Sequence, residues 1–212
     1  MDLSKSKIFS IQGNIGSGKS TVVRKLEDKG VANMRCLQEP VNVWSEYQMD
    51  GKNILEHFYS DRKRFAFPFQ MMAFYTRLKV IKDLVSSTSG DGIVMERSLE
   101  TDKRIFAKMM IDDGSIDQMS ARIYNEWFND LTPDYTSGII NIYIRTPPEV
   151  CHQRISERKR PGEDVIPLDY LERCHQLHDE WLLSEQGVHV IDGTLPIETI
   201  INKVLAIWFN TI

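Results

Sequence analysis

The sequence has few cysteines and no segment typical of export or membrane insertion. Its three cysteines, Cys36, Cys151 and Cys174, show no C-x-x-C spacing, so we expect reduced thiols and no disulfide or zinc framework. No apolar run approaches the roughly 18 residues that cross a bilayer. Met1–Lys7 contains no long apolar or arginine-rich targeting region. These absences predict a cytoplasmic protein that does not associate with membranes.

The sequence also lacks an excess of basic residues. It has 26 lysines and arginines against 30 acidic residues, a formal net charge of −4. Because proteins that bind a nucleic-acid polymer normally carry a basic face, this balance argues against such a partner. Hydrophobic residues make up 42% of the chain and charged residues 26%, which is typical of globular proteins. The length of 212 residues predicts one domain over residues 1–212.

Short apolar runs alternate with longer helical patterns along the chain. The runs are nearly continuous in apolar or β-branched residues, as in parallel strands covered on both faces. They predict strands at Ile8–Ile11, Met34–Gln38, Ile93–Glu96, Ile139–Arg145 and Val188–Asp192. Apolar residues three to four apart predict helices at Lys19–Asp28, Phe69–Leu84, Leu168–Leu183 and Ile200–Trp208. The alternation predicts an α/β fold with a five-stranded parallel sheet flanked by helices.

The segment after the first predicted strand matches G-x-x-x-x-G-K-[ST], the pattern of a triphosphate-binding loop (P-loop). Its glycines let backbone N–H groups curl around phosphate oxygens, and the following helix N-terminus adds partial positive charge. A lysine in this pattern contacts the β- and γ-phosphates, and the serine hydroxyl can ligate Mg²⁺. The predicted nucleotide-binding residues are Gly13, Asn14, Ile15, Gly16, Ser17, Gly18, Lys19, Ser20 and Thr21.

Charged residues lie where two predicted strands end. Glu39 follows the second strand, and Glu96 and Arg97 lie at the end of the third. In an open parallel sheet, ligands bind at the carboxyl ends of the strands. Glu39 can orient or deprotonate an attacking hydroxyl, Glu96 can help to hold Mg²⁺, and Arg97 can hold the acceptor oxygen. The alternatives are a solvated acid at Glu39 and a non-catalytic ion pair at Glu96 and Arg97.

An arginine-rich segment predicts a lid. Arg154, Arg158 and Arg160 precede a helix break at Pro161-Gly162. A short loop that carries several arginines between two helices is what closure over phosphates requires. We predict a lid at about residues 156–166, with an ordinary charged surface loop as the alternative.

Two other polar groups indicate no site. The basic run Arg62-Lys63-Arg64 has no partner pattern, and we interpret it as a solvated face. His175 and His178 lie three residues apart on a predicted helix, without a third ligand at suitable spacing. We therefore expect them to pack in the core or at an interface.

Taken together, these segments resemble the deoxyribonucleoside kinase family, which contains deoxycytidine and deoxyguanosine kinases. The resemblance runs from Ile8 to about Leu182. Its marks are G-N-I-G-S-G-K-S-T, E-P-V-x-x-W, P-F-Q, E-R-S, I-Y-I-R-T-P-P-E-V-C-x-x-R-I, the lid R-K-R-x-x-E, and P-L-x-Y-L-x-x-x-H-x-x-H-x-x-W-L. It implies transfer of the γ-phosphate of ATP to the 5′-hydroxyl of a deoxynucleoside. The rivals are a nucleoside monophosphate kinase on the same scaffold and a P-loop switch that hydrolyses nucleotide.

The resemblance also implies roles at the reaction centre. Glu39 would be the base at the 5′-hydroxyl, and Arg97 would hold that oxygen. Lys19 would bind the donor phosphates, with Ser20 and Glu96 on Mg²⁺.

Further roles concern the lid, the donor base and the sugar. Arg158 and Arg160 would close on the transferring phosphoryl group, and Arg154 would lie against the adenine of the donor. Tyr59 and Glu163 would hydrogen-bond the sugar 3′-hydroxyl.

The nucleoside base would meet an amide, apolar walls and a charged pair. Gln70 would read the base edge, and its amide can pair in either orientation. Arg77 and Asp102 resemble the charged pair of deoxycytidine and deoxyguanosine kinases. A carboxylate held by arginine accepts a hydrogen bond from an exocyclic amine, whereas the O4 of thymine would face it unfavourably. We expect preference for deoxycytidine, deoxyadenosine or deoxyguanosine over thymidine; a plain surface pair is the alternative. The apolar walls would be Trp44, Phe69 and Phe106.

The sequence departs from the family pattern at two places. Gly162 stands where the family commonly has glutamate, and Gly193–Pro196 matches the usual donor-base loop poorly, which leaves the donor open between ATP and other triphosphates.

The resemblance implies a homodimer packed through helices, with Phe69–Leu84 and Ser115–Asn129 as candidates.

Overall fold

The computed structural model describes residues 7–87, 92–158, 163 and 166–212. At its centre, a sheet is formed by the strands β1 (Ile8–Gln12), β2 (Met34–Leu37), β5 (Gly92–Glu96), β6 (Ile139–Arg145) and β7 (His189–Asp192), while β3 (Gln48–Met49) and β4 (Lys52–Asn53) form a separate antiparallel pair. The five strands of the main sheet are parallel and lie in the order β2-β5-β1-β6-β7. The five-stranded α/β sheet predicted from the sequence is confirmed, and each strand lies within one residue of its predicted bounds. The small antiparallel pair was not predicted.

Helices surround the sheet. In chain order they are α1 (Lys19–Asp28), α2 (Val41–Trp44), α3 (Ile54–Ser60), α4 (Arg62–Ser87), α5 (Leu99–Thr101), a π-helical turn (Asp102–Ala107), α6 (Lys108–Asp112), α7 (Gln118–Leu131), α8 (Pro133–Thr136), α9 (Pro148–Arg158), α10 (Leu168–Leu182) and α11 (Ile197–Thr211). None of the helices in the described part of the chain combines the length and apolar character that a bilayer span requires.

The two faces of the sheet bury different helices. Phe9 and Ile11 of β1 pack with α1 and α11 in one apolar cluster, which also contains Trp208. Ile8 of β1 points to the opposite face, which packs with α4 and α7. Gly92 permits the close approach of α11, because a Cβ at this position would lie 2.2 Å from the Trp208 ring. The alternation along β1 follows from the two-residue period of a strand.

Helix α4 differs most from its prediction. The apolar pattern suggested a start at Phe69, whereas the helix begins at Arg62 and continues through Pro68. Pro68 is exposed, while Ala66 is buried and Phe67 is partly buried against the cores on either side. A proline inside a helix removes one backbone hydrogen bond, and the burial of this apolar turn outweighs that loss.

The prediction of a solvated face is wrong for Arg62. Its guanidinium carbon lies 4.6 Å from the centroid of the Tyr170 ring and 5.8 Å from that of Phe58. His178, by contrast, packs as expected. It is fully buried, and its ring stacks on Tyr143 at 5.9 Å.

Candidate active site

A cavity of about 650 Å³ opens at the carboxyl ends of β1, β2 and β5. Parallel strands bring these ends to one edge, so segments far apart in sequence meet there. The lining residues that the sequence predicted are Ile15, Gly16, Gly18, Lys19, Ser20, Thr21, Glu39, Trp44, Tyr59, Phe69, Gln70, Arg77, Glu96, Arg97, Asp102, Phe106, Arg154, Arg158 and Glu163. Gly13, Asn14 and Ser17 are buried parts of the phosphate loop and do not line this cavity. Arg160 lies outside the described residues.

The phosphate loop depends on its glycines. Gly16 has φ +80°, and a Cβ there would lie 2.5 Å from the carbonyl oxygen of Cys151. Gly13 is similarly restricted, with a Cβ 2.7 Å from the carbonyl oxygen of Ile144. Gly18 is the N-cap of α1 and offers no side chain to cap it. The first N–H groups of α1 are therefore left for an anion, with the positive end of the helix dipole behind them.

Lys19 is almost fully buried beneath this loop. Its Nζ donates to the carbonyl oxygen of Asn14 at 2.6 Å. Burial, together with the charge of Arg97, lowers the pKa of Lys19 to about 7, although Glu96 and Glu39 oppose this change. A bound phosphate would place negative charge beside the amine of Lys19 and so favour its protonated form.

Glu39 lies between two arginines. Its Oε1 accepts from Nη2 of Arg77 at 2.6 Å, and its Oε2 accepts from Nη1 of Arg97 at 2.5 Å. Burial alone would raise the pKa of Glu39, but the charges of Arg97 and Arg77 and the hydrogen bond from Arg77 lower it to about 2. The carboxylate is therefore ionised at neutral pH, and the solvated-acid alternative is wrong.

Arg97 has an unusual backbone. Its φ is +61°, in the left-handed region, which costs a residue with a side chain about 1 kcal/mol or more. Its N–H donates to the carbonyl oxygen of Ile11 at 3.0 Å, and its guanidinium lies 5.2 Å from the centroid of the Phe106 ring. The Nε atom is buried and has no hydrogen-bond partner among the described residues. A buried donor without a partner is unfavourable, and together with the left-handed backbone it adds to the strain at Arg97.

Arg77 and Asp102 form a buried pair, so the surface-pair alternative is wrong. Arg77 Nε donates to Asp102 Oδ2 at 2.8 Å, and the two side chains are 4% and 3% exposed. Arg77 also donates to the carbonyl oxygen of Glu96 at 3.3 Å. One arginine thereby links the carboxylate of Glu39 to that of Asp102.

Gln70 has a defined amide orientation. Its Nε2 donates to the carbonyl oxygen of Asp102 at 3.1 Å and to the Tyr124 hydroxyl at 3.4 Å. Since a carbonyl oxygen can only accept, the NH₂ group must face Asp102. Within the described part of the chain no donor reaches Oε1, so this acceptor is left for a ligand.

Aromatic rings form one wall of the cavity. Trp44 meets Phe69 edge-on at 5.7 Å between centroids, and Trp44 Nε1 donates to the Thr76 hydroxyl at 2.9 Å. Phe58 stacks on Phe69 at 4.7 Å, and Tyr170 also lines the cavity. Sequence reasoning missed Phe58 and Tyr170 as site residues, because an aromatic residue on a helix gives the same signal whether it faces a core or a ligand.

The side chains predicted to hold Mg²⁺ are adjacent. Ser20 Oγ donates to Glu96 Oε1 at 2.8 Å beside the phosphate loop. No group of three or more metal-binding acidic, histidine or cysteine side chains occurs among residues 7–87, 92–158, 163 and 166–212. Mg²⁺ at nucleotide sites usually takes one or two protein oxygens and completes its shell with phosphates and water. The pair therefore fits this ion when it arrives with a triphosphate.

Arg158 and Glu163 of the predicted lid, and Arg154 just before it, make two sets of contacts. Arg158 forms an ion pair with Glu163, the acid predicted at the sugar. Arg154 donates to the carbonyl oxygens of Ser17 at 3.3 Å and Gly193 at 3.0 Å. It also lines a second cavity of about 220 Å³ beside the start of α11.

Comparison with known proteins assigns the family. Residues 9–206 match the family model described as deoxynucleoside kinase. A probable deoxycytidine kinase of Fowlpox virus is 38% identical over 190 residues, covering 88% of this chain and 76% of that protein. Deoxycytidine kinase 2 of Gallus gallus is 34% identical, covering 84% and 74%, and mitochondrial thymidine kinase 2 of Macaca fascicularis is 31% identical, covering 92% and 71%.

These relatives are nucleoside kinases, which favours that activity over the monophosphate kinase and the P-loop switch. The relatives are named for different nucleosides, deoxycytidine and thymidine, so the nucleoside that this chain prefers does not follow from them. With a match that spans nearly its whole length, the chain belongs to the deoxynucleoside kinase family.

Proposed function

We propose that this cavity transfers the γ-phosphoryl group of Mg²⁺-bound ATP to the 5′-hydroxyl of a deoxynucleoside, with a preference for deoxycytidine, deoxyadenosine or deoxyguanosine over thymidine. The observation that carries the proposal is the ionised Glu39 carboxylate, held by Arg97 and Arg77 in the same cavity as the phosphate loop. A phosphate acceptor would be repelled by this carboxylate, whereas a hydroxyl can donate to it.

The donor would bind along the loop and the start of α1. The N–H groups after Gly18 would hold its phosphates, and Lys19 would neutralise their charge. Ser20 and Glu96 would hold Mg²⁺, which when bound stabilises the charge that develops between the β- and γ-phosphates. The adenine would bind in the second cavity beside Arg154, because an arginine guanidinium can stack on the face of an aromatic ring.

The acceptor hydroxyl would be held by Glu39 and Arg97. Its oxygen would attack phosphorus as the bond from phosphorus to the bridging oxygen of ADP breaks, and its proton would pass to the Glu39 carboxylate. Phosphoryl transfer has a loose transition state, so positioning matters more than base strength and a carboxylate of low pKa suffices. The guanidinium of Arg97, which lines the cavity, would donate to the acceptor oxygen.

The lid arginines would act on the transferring group. Arg158, now paired with Glu163, would exchange that partner for phosphoryl oxygens, and Arg160 would join it. Arginine suits these oxygens because its donors form a planar fork. Glu163 would then accept from the sugar 3′-hydroxyl. Tyr59, whose pKa burial raises above its ordinary value, would stay protonated and act as a second partner of that hydroxyl.

The base would stack among Trp44, Phe69 and Phe106. Gln70 Oε1 and the Asp102 carboxylate would face its edge as acceptors, and the carboxylate favours the exocyclic amine of cytosine, adenine or guanine. The O4 of thymine would oppose the carboxylate, and a site built for one hydrogen-bonding group rejects its absence strongly.

Steady-state kinetics with the four deoxynucleosides test the base preference. We expect kcat/KM for thymidine to be the lowest, and thymidine as the best substrate would refute the charge argument. A coupled assay that compares deoxycytidine with its monophosphate tests the acceptor. Phosphorylation of the monophosphate alone, or phosphate release without nucleoside, would refute the proposed reaction.

A homodimer is proposed from exposed apolar side chains. Met119, Ile123, Trp127 and Leu131 repeat every four residues along α7, and each is at least 36% exposed. Tyr75 on α4 is 59% exposed. Such a stripe on neighbouring helices suits packing against a second copy of the chain. Light scattering tests it, and a mass near 24.6 kDa would refute it.

The single domain over residues 1–212 and the cytoplasmic location stay predictions. Limited proteolysis tests the first, and fractionation of cells that produce the protein tests the second.

A further inference from the structure

A buried amide connects the centre of the sheet to the turn that carries Arg97. Gln12, the last residue of β1, is fully buried. Its Nε2 lies 2.9 Å from Ser10 Oγ, 3.0 Å from Ser98 Oγ and 3.1 Å from Asn141 Oδ1. Its Oε1 accepts from Thr101 Oγ1 at 2.6 Å. One side chain thus hydrogen-bonds neighbouring positions on β1 and β6 and two positions on the segment after β5.

The hydrogen bonds from Gln12 to Ser98 and Thr101 fix both ends of the turn that follows Arg97. Ser98 directly follows Arg97 and precedes α5, and its N–H donates to Thr101 Oγ1 at 3.1 Å. Gln12 donates to the Ser98 hydroxyl and accepts from the Thr101 hydroxyl, so it uses both functions of its amide. The polar groups involved are removed from water, and loss of the amide would leave them without a partner.

The turn matters because Arg97 is strained. A left-handed φ of +61° persists in a residue with a side chain only when its surroundings hold it. The backbone bond from Arg97 to Ile11 fixes one side of the residue, and the amide of Gln12 fixes the other through Ser98. A change of φ toward the ordinary regions would swing the guanidinium away from Glu39 and Phe106.

The geometry points to Gln12 as a positioning residue for phosphoryl transfer: its amide keeps Arg97 in the conformation that places the guanidinium against Glu39. This inference rests on the proposed role of Arg97 at the acceptor oxygen. Gln12 is not among the residues that line the cavity of the described chain, so it acts through Arg97 and not by touching substrate.

The first test is Gln12→Met, which keeps an unbranched side chain of similar length without hydrogen bonds. We expect kcat to fall by about tenfold to a hundredfold, because a misplacement of about 1 Å at a reacting group has effects of this size. The KM values for ATP and for the nucleoside should stay within about threefold, because neither binding surface contains Gln12. A purely structural role would lower the thermal midpoint without this split between kcat and KM.

Ser10→Ala is the control for this test, and Thr101→Val is a second test. Ser10→Ala removes one bond of the same buried amide without touching the turn, and it should leave kcat within about threefold of wild type. Thr101→Val removes the hydrogen bond from the Thr101 hydroxyl to Gln12 Oε1 and should reproduce the loss of kcat. This variant keeps the test valid if Gln12→Met does not fold.

A double-mutant cycle with Arg97→Lys separates the inference from the proposed function. If Gln12 acts through Arg97, then Gln12→Met should lower kcat by less than about threefold when Arg97 is already replaced. Full activity of Arg97→Lys would refute the role of Arg97. Loss of activity in Arg97→Lys, combined with wild-type kcat in folded Gln12→Met and Thr101→Val or with an undiminished effect in the double variant, would refute the positioning role alone.

Discussion

Replacement of Glu39 by glutamine removes the charge on which the proposed reaction depends. In the native site each carboxylate oxygen accepts from a different arginine, at 2.6 Å from Arg77 and 2.5 Å from Arg97. A glutamine offers one acceptor, and its NH₂ group must face the other guanidinium. We expect kcat to fall by about 10² or more, with KM for the nucleoside nearly unchanged because the base walls are intact.

The same substitution should change how stability depends on pH. Arg97 and Arg77 outweigh the effect of burial and lower the pKa of Glu39 from its ordinary 4.5 to about 2. This group therefore contributes stability that is fully present above about pH 4.5 and is lost as the pH falls toward 2. The lowered pKa corresponds to a contribution on the order of 3 kcal/mol.

Urea unfolding of both proteins at a series of pH values measures this contribution. The gap in free energy of unfolding between wild type and Glu39→Gln should be largest near neutral pH and should shrink below pH 4.5. Glu46→Gln, at an exposed acid after α2, is the matched control and should alter neither kcat nor the pH profile. Wild-type kcat in folded Glu39→Gln, or a gap that stays constant down to pH 3, would refute the reasoning.

Three further substitutions test two other parts of the site and the proposed dimer. Lys19→Ala should abolish activity and weaken ATP binding in calorimetry, because it removes the cation beneath the phosphate loop; retained activity would exclude the donor role. Asp102→Ala should raise kcat/KM for thymidine relative to deoxycytidine by about tenfold, and an unchanged ratio would argue against base reading by this carboxylate. Trp127→Glu should shift the light-scattering mass toward the 24.6 kDa monomer, because it places a charge in the proposed dimer stripe; an unchanged dimer would move the interface elsewhere.

Local patterns in the sequence predicted the sheet well. The central strands β1, β5 and β6 are short, largely buried apolar runs, while the edge strands β2 and β7 are more exposed but keep enough apolar or β-branched residues to be recognised. Helix α1 was predicted at its observed bounds, Lys19–Asp28, because the phosphate loop fixes its start and Gly30 lies just beyond its end. Helix α4 was predicted to begin too late because Pro68 masks a turn that tertiary packing stabilises.

The contacts that shape the site could not be read from the chain. Asp102 lies 25 residues from Arg77, and only the fold shows that this pair is buried and linked to Glu39. Arg62 reads as part of a basic run, yet its neighbour Tyr170 comes from a distant helix. The left-handed backbone of Arg97 leaves no mark in the residue types around it. Motifs thus predicted most of the residues that line the cavity, while the packing decides their partners.

The central claim is that Glu39 and Arg97 hold the acceptor hydroxyl in line with the donor phosphates. A crystal structure with deoxycytidine and a non-hydrolysable ATP analogue tests it most directly. The account predicts the 5′-oxygen within hydrogen-bond distance of the Glu39 carboxylate and of the Arg97 guanidinium, with the γ-phosphate on its far side. A 5′-oxygen out of reach of both side chains would contradict it.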